Sequence, residues 1–221
     1  MRLTPGSIHF LTLGVASLAM LSACGGGGSS APAPAPAPAA THLTGSAAVG
    51  APITQGMLRV IDSTGAVVAH DVAINADGTY DAGVLTGTGP WRLEACGYTG
   101  ANYGCIYSVA QAAGTANVTP LTSAMITLAT GHTPDTLMAD AGAPTPAGLA
   151  AAQAQLQAGL AGTLSDAGVP ANFDFTTGSL AAGTRSGYDR ILDAVNVTTG
   201  SDDGAFVQVT PRLGDGNLYL T

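Results

Sequence analysis

Few residues in this sequence are of a type and spacing that could do chemistry, and the missing types narrow the reactions most. The chain has no lysine, and Glu94 is its only glutamate. A phosphate-binding loop ending in lysine, a Ser-x-x-Lys nucleophile, Schiff-base chemistry and a His-Glu-x-x-His zinc motif are therefore excluded. No Gly-x-Ser-x-Gly elbow is present either. His42, His70 and His132 stand far apart, and no clustered His/Cys/Asp spacing marks a metal centre. Asp202-Asp203-Gly204 and Asp215-Gly216-Asn217 offer oxygens that calcium could use, but neither supplies a full ligand loop, and Asp-Gly pairs are turn chemistry first. Two aspartates brought together in space could serve as acid and base in an envelope hydrolase, although the spacing singles out no pair. No metal and no cofactor are expected. The reactive groups that remain are three cysteines, Cys24, Cys96 and Cys105.

The first cysteine follows a characteristic start. Arg2 gives a short positive beginning, and residues 8–20 form an apolar run bounded by small residues and too short to cross a bilayer comfortably. Residues 1–23 read as a secretory signal and not as a transmembrane helix. Leu21-Ser22-Ala23-Cys24 resembles the lipobox of bacterial lipoproteins. The resemblance implies cleavage before Cys24, acyl chains on that cysteine, and attachment to a membrane without a spanning segment. At about 0.8 kcal/mol per buried methylene, two or more chains suffice. Gly25 stands where lipoproteins retained at the inner membrane carry aspartate, which implies the outer membrane.

With Cys24 acylated, Cys96 and Cys105 are left as a pair, and an oxidising envelope compartment should join them in a disulfide worth roughly 2–3 kcal/mol. Their spacing fits neither a redox Cys-x-x-Cys nor a zinc knuckle. Tyr98 and Tyr103 lie between glycines inside the loop so closed. They are the candidate ligand contacts, because rings displayed on a stiffened tip suit stacking on sugars or anchoring a protein partner.

The elements that must position these groups follow from pattern. Residues 24–40 combine a Gly/Ser run with alternating Ala and Pro, which buries no core and reads as a solvated, semi-rigid linker of about 3.1 Å per residue where Pro-rich. Residues 41–116 carry short strand-like runs separated by Gly, Asp and Asn. Met57-Leu58-Arg59-Val60-Ile61 and Ala66-Val67-Val68-Ala69 should form a hairpin across Asp62-Ser63-Thr64-Gly65. Asn75-Ala76-Asp77-Gly78 turns the chain again, and Tyr80 should pack inside. Period-two alternation puts Trp91, Leu93 and Ala95 on one face and Arg92, Glu94 and Cys96 on the other, which would set the disulfide on the outer, polar face. Ile106-Tyr107-Ser108-Val109 is the returning strand.

Gly45 opening the first strand, the Asp77-Gly78-Thr79-Tyr80 turn and the Trp91-Arg92-Leu93-Glu94-Ala95 strand resemble the carboxypeptidase-regulatory-like, or transthyretin-like, β-sandwich. The resemblance covers about a third of the chain. It implies a small Greek-key sandwich acting as a non-catalytic accessory or adhesion module, and it brings no catalytic residue. Tyr107-Ser108-Val109-Ala110 with Asn117-Val118-Thr119-Pro120-Leu121-Thr122 resembles a junction in bacterial lipoproteins where this sandwich precedes helices, and no activity comes with it.

From residue 117 to 221 the period turns helical. Thr119 is an N-cap with Pro120 in the first turn, and Leu121, Ala124, Met125 and Leu128 share a face before Gly131. Thr145-Pro146 repeats that start, and Leu149, Ala152, Leu156, Leu160 and Leu164 make one stripe up to Gly168. Tyr188, Ile191, Leu192 and Val195 predict a third helix. Phe206-Val207-Gln208-Val209 and Leu218-Tyr219-Leu220 predict a terminal hairpin.

The expected fold class is α+β: a Greek-key-type sandwich, about three helices and a terminal hairpin. The formal net charge of −8 repels polyanions, so nucleic acid is not an expected partner. The expected role is non-catalytic: a lipid-anchored protein of the bacterial cell envelope that presents its sandwich to an envelope protein or a glycan.

Overall fold

The computed structural model describes residues 41–139, 143–201, 204–214 and 216–221. Strands come first. β1 (Thr41–Ser46) is followed by the short pair β2 (Ala48–Val49) and β3 (Ala51–Pro52), then by β4 (Thr54–Ile61), β5 (Val67–Ala73) and β6 (Thr79–Leu85). β7 (Trp91–Thr99), β8 (Asn102–Ala110) and β9 (Gly114–Thr115) complete this region. They form two principal sheets, ordered β6-β1-β9 and β5-β4-β7-β8, and the chain passes from one to the other and back.

The turns between strands form because short polar side chains bond their own backbone. Between β4 and β5, Asp62 Oδ1 accepts from the Thr64 amide, the Thr64 hydroxyl and the Ala66 amide at 2.7–3.0 Å. The Thr64 hydroxyl, with those amides, holds the Asp62 carboxyl below its ordinary range. Asp77 accepts from the Thr79 amide and hydroxyl in the same manner, and Gly78 supplies the positive φ before β6. Leu58, Val60, Leu93, Ala95, Trp91, Leu43 and Tyr80 then fill the space between the two sheets. Gly45 lies within β1 and not at its opening, and its missing Cβ leaves room for the Ala116 carbonyl and the Tyr80 hydroxyl, which are hydrogen-bonded to each other.

Helices follow. α1 (Pro120–Thr130) begins as its sequence predicts: Thr119 caps it, Thr122 closes a capping box, and Gly131 ends it in the left-handed region. A 3-10 turn spans Pro134–Met138. The long stripe expected from Leu149 to Leu164 is buried at every position, but it is carried by two helices, α2 (Pro146–Gly159) and α3 (Ala161–Asp166), which meet at Leu160. Among the described residues the helical region thus holds four α-helices where about three are expected, because one stripe is shared by two, and α4 is Gly187–Ala194.

Val195 belongs to no helix. It opens β10 (Val195–Gly200), which pairs antiparallel with β11 (Phe206–Pro211), itself paired with β12 (Leu218–Leu220). The expected hairpin exists as part of this three-stranded sheet. Its inner valines, the helix stripes, Phe175 and Tyr188 make a second core, and Ala48 from the strand region reaches into it. Tyr188 is fully buried, and its hydroxyl shares a 2.8 Å hydrogen bond with the N-cap Thr119. All described residues fall in one contact unit.

Candidate functional site

The hairpin β7–β8 is a regular ladder of nine pairs, from Trp91 opposite Ala110 to Thr99 opposite Asn102, turning at Gly100-Ala101. Tyr98 and Tyr103, expected in a loop, are therefore strand residues and direct cross-strand partners. Alternation holds along β7. Trp91, Leu93 and Ala95 face the first core, while Arg92, Glu94, Cys96 and Tyr98 share the opposite face with Val109, Tyr107, Cys105 and Tyr103 of β8.

That opposite face divides into rows. At the inner end Arg92, expected on a solvated surface, is only 5% exposed. The 3-10 turn covers it, and its guanidinium donates to the carbonyl oxygens of Asp62, Leu137 and Ala139 at 3.0–3.2 Å. The physical reason is that a polar strand face can be roofed by a later segment whose carbonyls accept from the terminal nitrogens of the cation, Nε alone being left buried without a partner. Next along, α1 grips the β8 edge: the Thr122 hydroxyl donates to the Tyr107 carbonyl at 2.7 Å, and the Tyr107 amide donates to the Ser123 hydroxyl at 2.9 Å.

The following row runs Arg59, Glu94, Tyr107 across three strands. Arg59 grips the Glu94 carboxylate through Nη2 at 2.9 Å and Nε at 3.1 Å. Burial, the Glu94 and Asp135 charges and a hydrogen bond with Glu94 push the Tyr107 phenol up to about 12. Then comes a row of three sulfur side chains, Met57 on β4, Cys96 on β7 and Cys105 on β8. Cys96 and Cys105 are joined as a disulfide across a directly opposed pair, with Cα atoms 4.1 Å apart. Cys105 is exposed and Cys96 half-buried, so the bond does lie on the outer face. The Glu94 carboxylate and both sulfurs lie within 4.8 Å of one another.

The last row is the tip. Tyr98 and Tyr103 meet edge to face with ring centroids 5.1 Å apart. They are 40% and 62% exposed, and Met57 beside them is 52% exposed. A bulge in β4 at Gln55 and Gly56 sets Thr54 opposite Tyr98, and Gly97 packs against Gly56 so closely that a Cβ at Gly97 would stand 2.7 Å from the Gly56 Cα. Glu94 and Cys96 share the outer face as period-two alternation predicts, and the closeness of the carboxylate to both sulfurs follows from it.

Other candidates are scattered. His42 lies 3.2 Å from Asp81 and His70 2.9 Å from Asp71, all four being exposed. A cavity of 320 Å³ is lined by α1, α2, the end of β8 and the 174–177 turn, Met125 and Leu149 among them, and among the described residues its one carboxylate is Asp174, bonded to the amides of Thr176 and Thr177. Cys24 and the aspartates of the calcium reading, Asp202, Asp203 and Asp215, lie outside the described residues. No helix among the described residues is long and apolar enough to cross a membrane.

The fold and the rows define an α+β protein whose two-sheet β region carries a disulfide-closed hairpin with an exposed aromatic end, followed by helices and a three-stranded antiparallel sheet. Comparison with protein-family models, with curated proteins and with solved structures finds no match for this chain.

Proposed function

We propose that this chain is a non-catalytic, lipid-anchored lipoprotein of the bacterial cell envelope, held at the outer membrane through acylated Cys24, whose β region is a carboxypeptidase-regulatory-like sandwich serving structural or binding roles. The observation that carries the reading is Leu21-Ser22-Ala23-Cys24 directly after an apolar run of signal length. The Ala-Pro linker supports it as a spacer off the membrane. The Cys96–Cys105 bond supports an extracytoplasmic location, since such bonds persist in oxidising compartments. Radiolabelled palmitate fed to cells, followed by detergent phase separation, tests the anchor. The parent chain should carry label and enter the detergent phase, and Cys24→Ala should do neither. An unlabelled parent in the aqueous phase ends the proposal.

A second reading, a glycan-binding or adhesive module, is favoured by the exposed pair Tyr98 and Tyr103 on one face of the hairpin. Screening the mature chain on a glycan array beside Tyr98→Ala/Tyr103→Ala tests it. Binding lost in the double variant supports it, and a parent that binds nothing removes it.

A further inference from the structure

The disulfide of the β7–β8 hairpin stands in company that a simple staple does not require. On the same sheet face a carboxylate donor, Glu94, already lies with both sulfurs inside a 4.8 Å circle. The neighbours of that carboxylate orient it: Arg59 holds Oε2 through two nitrogens, and Tyr107 stands directly opposite it on the next strand. An oriented carboxylate beside two sulfurs is the donor set of a Cys2Glu zinc site, with outer partners of the kind that hold metal ligands in place.

We propose that Glu94, Cys96 and Cys105 form a binding site for a divalent thiophilic cation, Zn²⁺ above all, once the Cys96–Cys105 bond is reduced. Four donors around tetrahedral zinc, at about 2.3 Å for sulfur and about 2.0–2.2 Å for oxygen, lie roughly 3.5–3.8 Å from one another. The sulfurs must therefore part, which breaking the bond permits, and the carboxylate must close in by a side-chain rotation from within 4.8 Å. The backbone need not move. The ladder continues on both sides of the cysteines, through Ala95 with Ile106 and through Gly97 with Gly104, and the Tyr98–Tyr103 ring contact closes the tip independently of the disulfide. Cys105 faces solvent, so a reductant can reach it and the fourth metal position is open to water.

The reduction balances with a dithiol as electron donor. Its thiolate attacks the exposed sulfur, the Cys96–Cys105 bond breaks, and two electrons end on the two cysteines while the donor leaves as its own disulfide. Zn²⁺ then displaces the thiol protons into solvent. Met57, the third sulfur of the row, is a thioether and stays outside the donor set.

The test uses the full mature chain in detergent micelles, reduced with a phosphine that is then removed, and titrated without oxygen with Zn²⁺ against a chromophoric chelator. The reduced chain should take up one equivalent and the oxidised chain none. Glu94→Gln should weaken binding about tenfold or more. Cys96→Ser/Cys105→Ser should abolish it, and Met57→Leu should leave it unchanged. Co²⁺ in place of Zn²⁺ should give the thiolate charge-transfer absorption of a tetrahedral site. Hydrogen exchange at residues 97–104 of Cys96→Ser/Cys105→Ser reports whether the ladder survives without the bond, as the proposal requires. A reduced parent that leaves the chelator loaded, a Glu94→Gln chain that binds as tightly as the parent, or a tip that exchanges as an unfolded segment each overturns it.

Discussion

The β7–β8 hairpin has two halves built from the same alternation and put to opposite uses. At the Trp91 and Ala110 end both faces are covered, one by the first core and the other by α1 and the 3-10 turn. At the Thr99 and Asn102 end one face is bare, and a disulfide and two rings take the place of a roof. The difference teaches where the free energy resides. The roofed half gains mostly from burial, even with Trp91 Nε1, Arg92 Nε and Ser108 Oγ left unpartnered there, whereas the bare half gains mostly from its ladder and a covalent link. What the bare half loses in burial it keeps as accessible chemistry.

Removing Arg92 is the hardest blow to the roofed half. Arg92→Ala takes away donors from three carbonyls and empties their surroundings, so unfolding by urea should show a loss of about 3 kcal/mol. An unchanged midpoint would break the comparison. Opening the disulfide acts on the bare half. The linked residues are nine apart in sequence, so Cys96→Ser/Cys105→Ser should cost about 2 kcal/mol and speed hydrogen exchange only near the tip. Thr122→Val removes the hydroxyl that ties α1 to β8, and calorimetry should show a loss of about 1 kcal/mol.

A pH series sharpens the contrast from another side. Burial, with Glu94 and Asp135 nearby, raises the Tyr107 phenol to about 12, above its ordinary value near 10. Below about pH 10 both folded and unfolded chains hold this proton, and its contribution to stability is complete. As pH climbs from about 10 to about 12 the unfolded chain gives up a proton that the fold retains, so stability falls. Tyr107→Phe should make that alkaline limb shallower, and Tyr80 and Tyr188, also raised by burial, should keep the rest of it. The smallest effect belongs to the tip: Tyr98→Ala/Tyr103→Ala should shift stability by no more than about 0.5 kcal/mol, because both residues are exposed and neither belongs to a core.

Local signals in the sequence survive in the structure almost unchanged. Thr119 with Pro120 starts α1, Asp62 and Asp77 make their turns, and the alternation from Trp91 to Cys96 sorts the two faces. Long-range facts did not survive, for a physical reason. The roof over Arg92 comes from residues 137 and 139, and no pattern within β7 announces it. Val195 follows Tyr188, Ile191 and Leu192 at helical spacing, yet pairing with Pro211 and the strand beyond it draws it into β10. The apolar stripe from Leu149 to Leu164 shows which side is buried but is silent about the break at Leu160. At the candidate site the pairing of Cys96 with Cys105 was readable from the cysteine count. The place of Glu94 beside it needed the strand face to be read as chemistry.

The order β6-β1-β9 has a mechanical consequence. The strand nearest the proposed anchor occupies the middle of its sheet, bonded antiparallel on one side and parallel on the other. A tug arriving at Thr41 is therefore passed to two ladders together, one antiparallel to β6 and one parallel to β9.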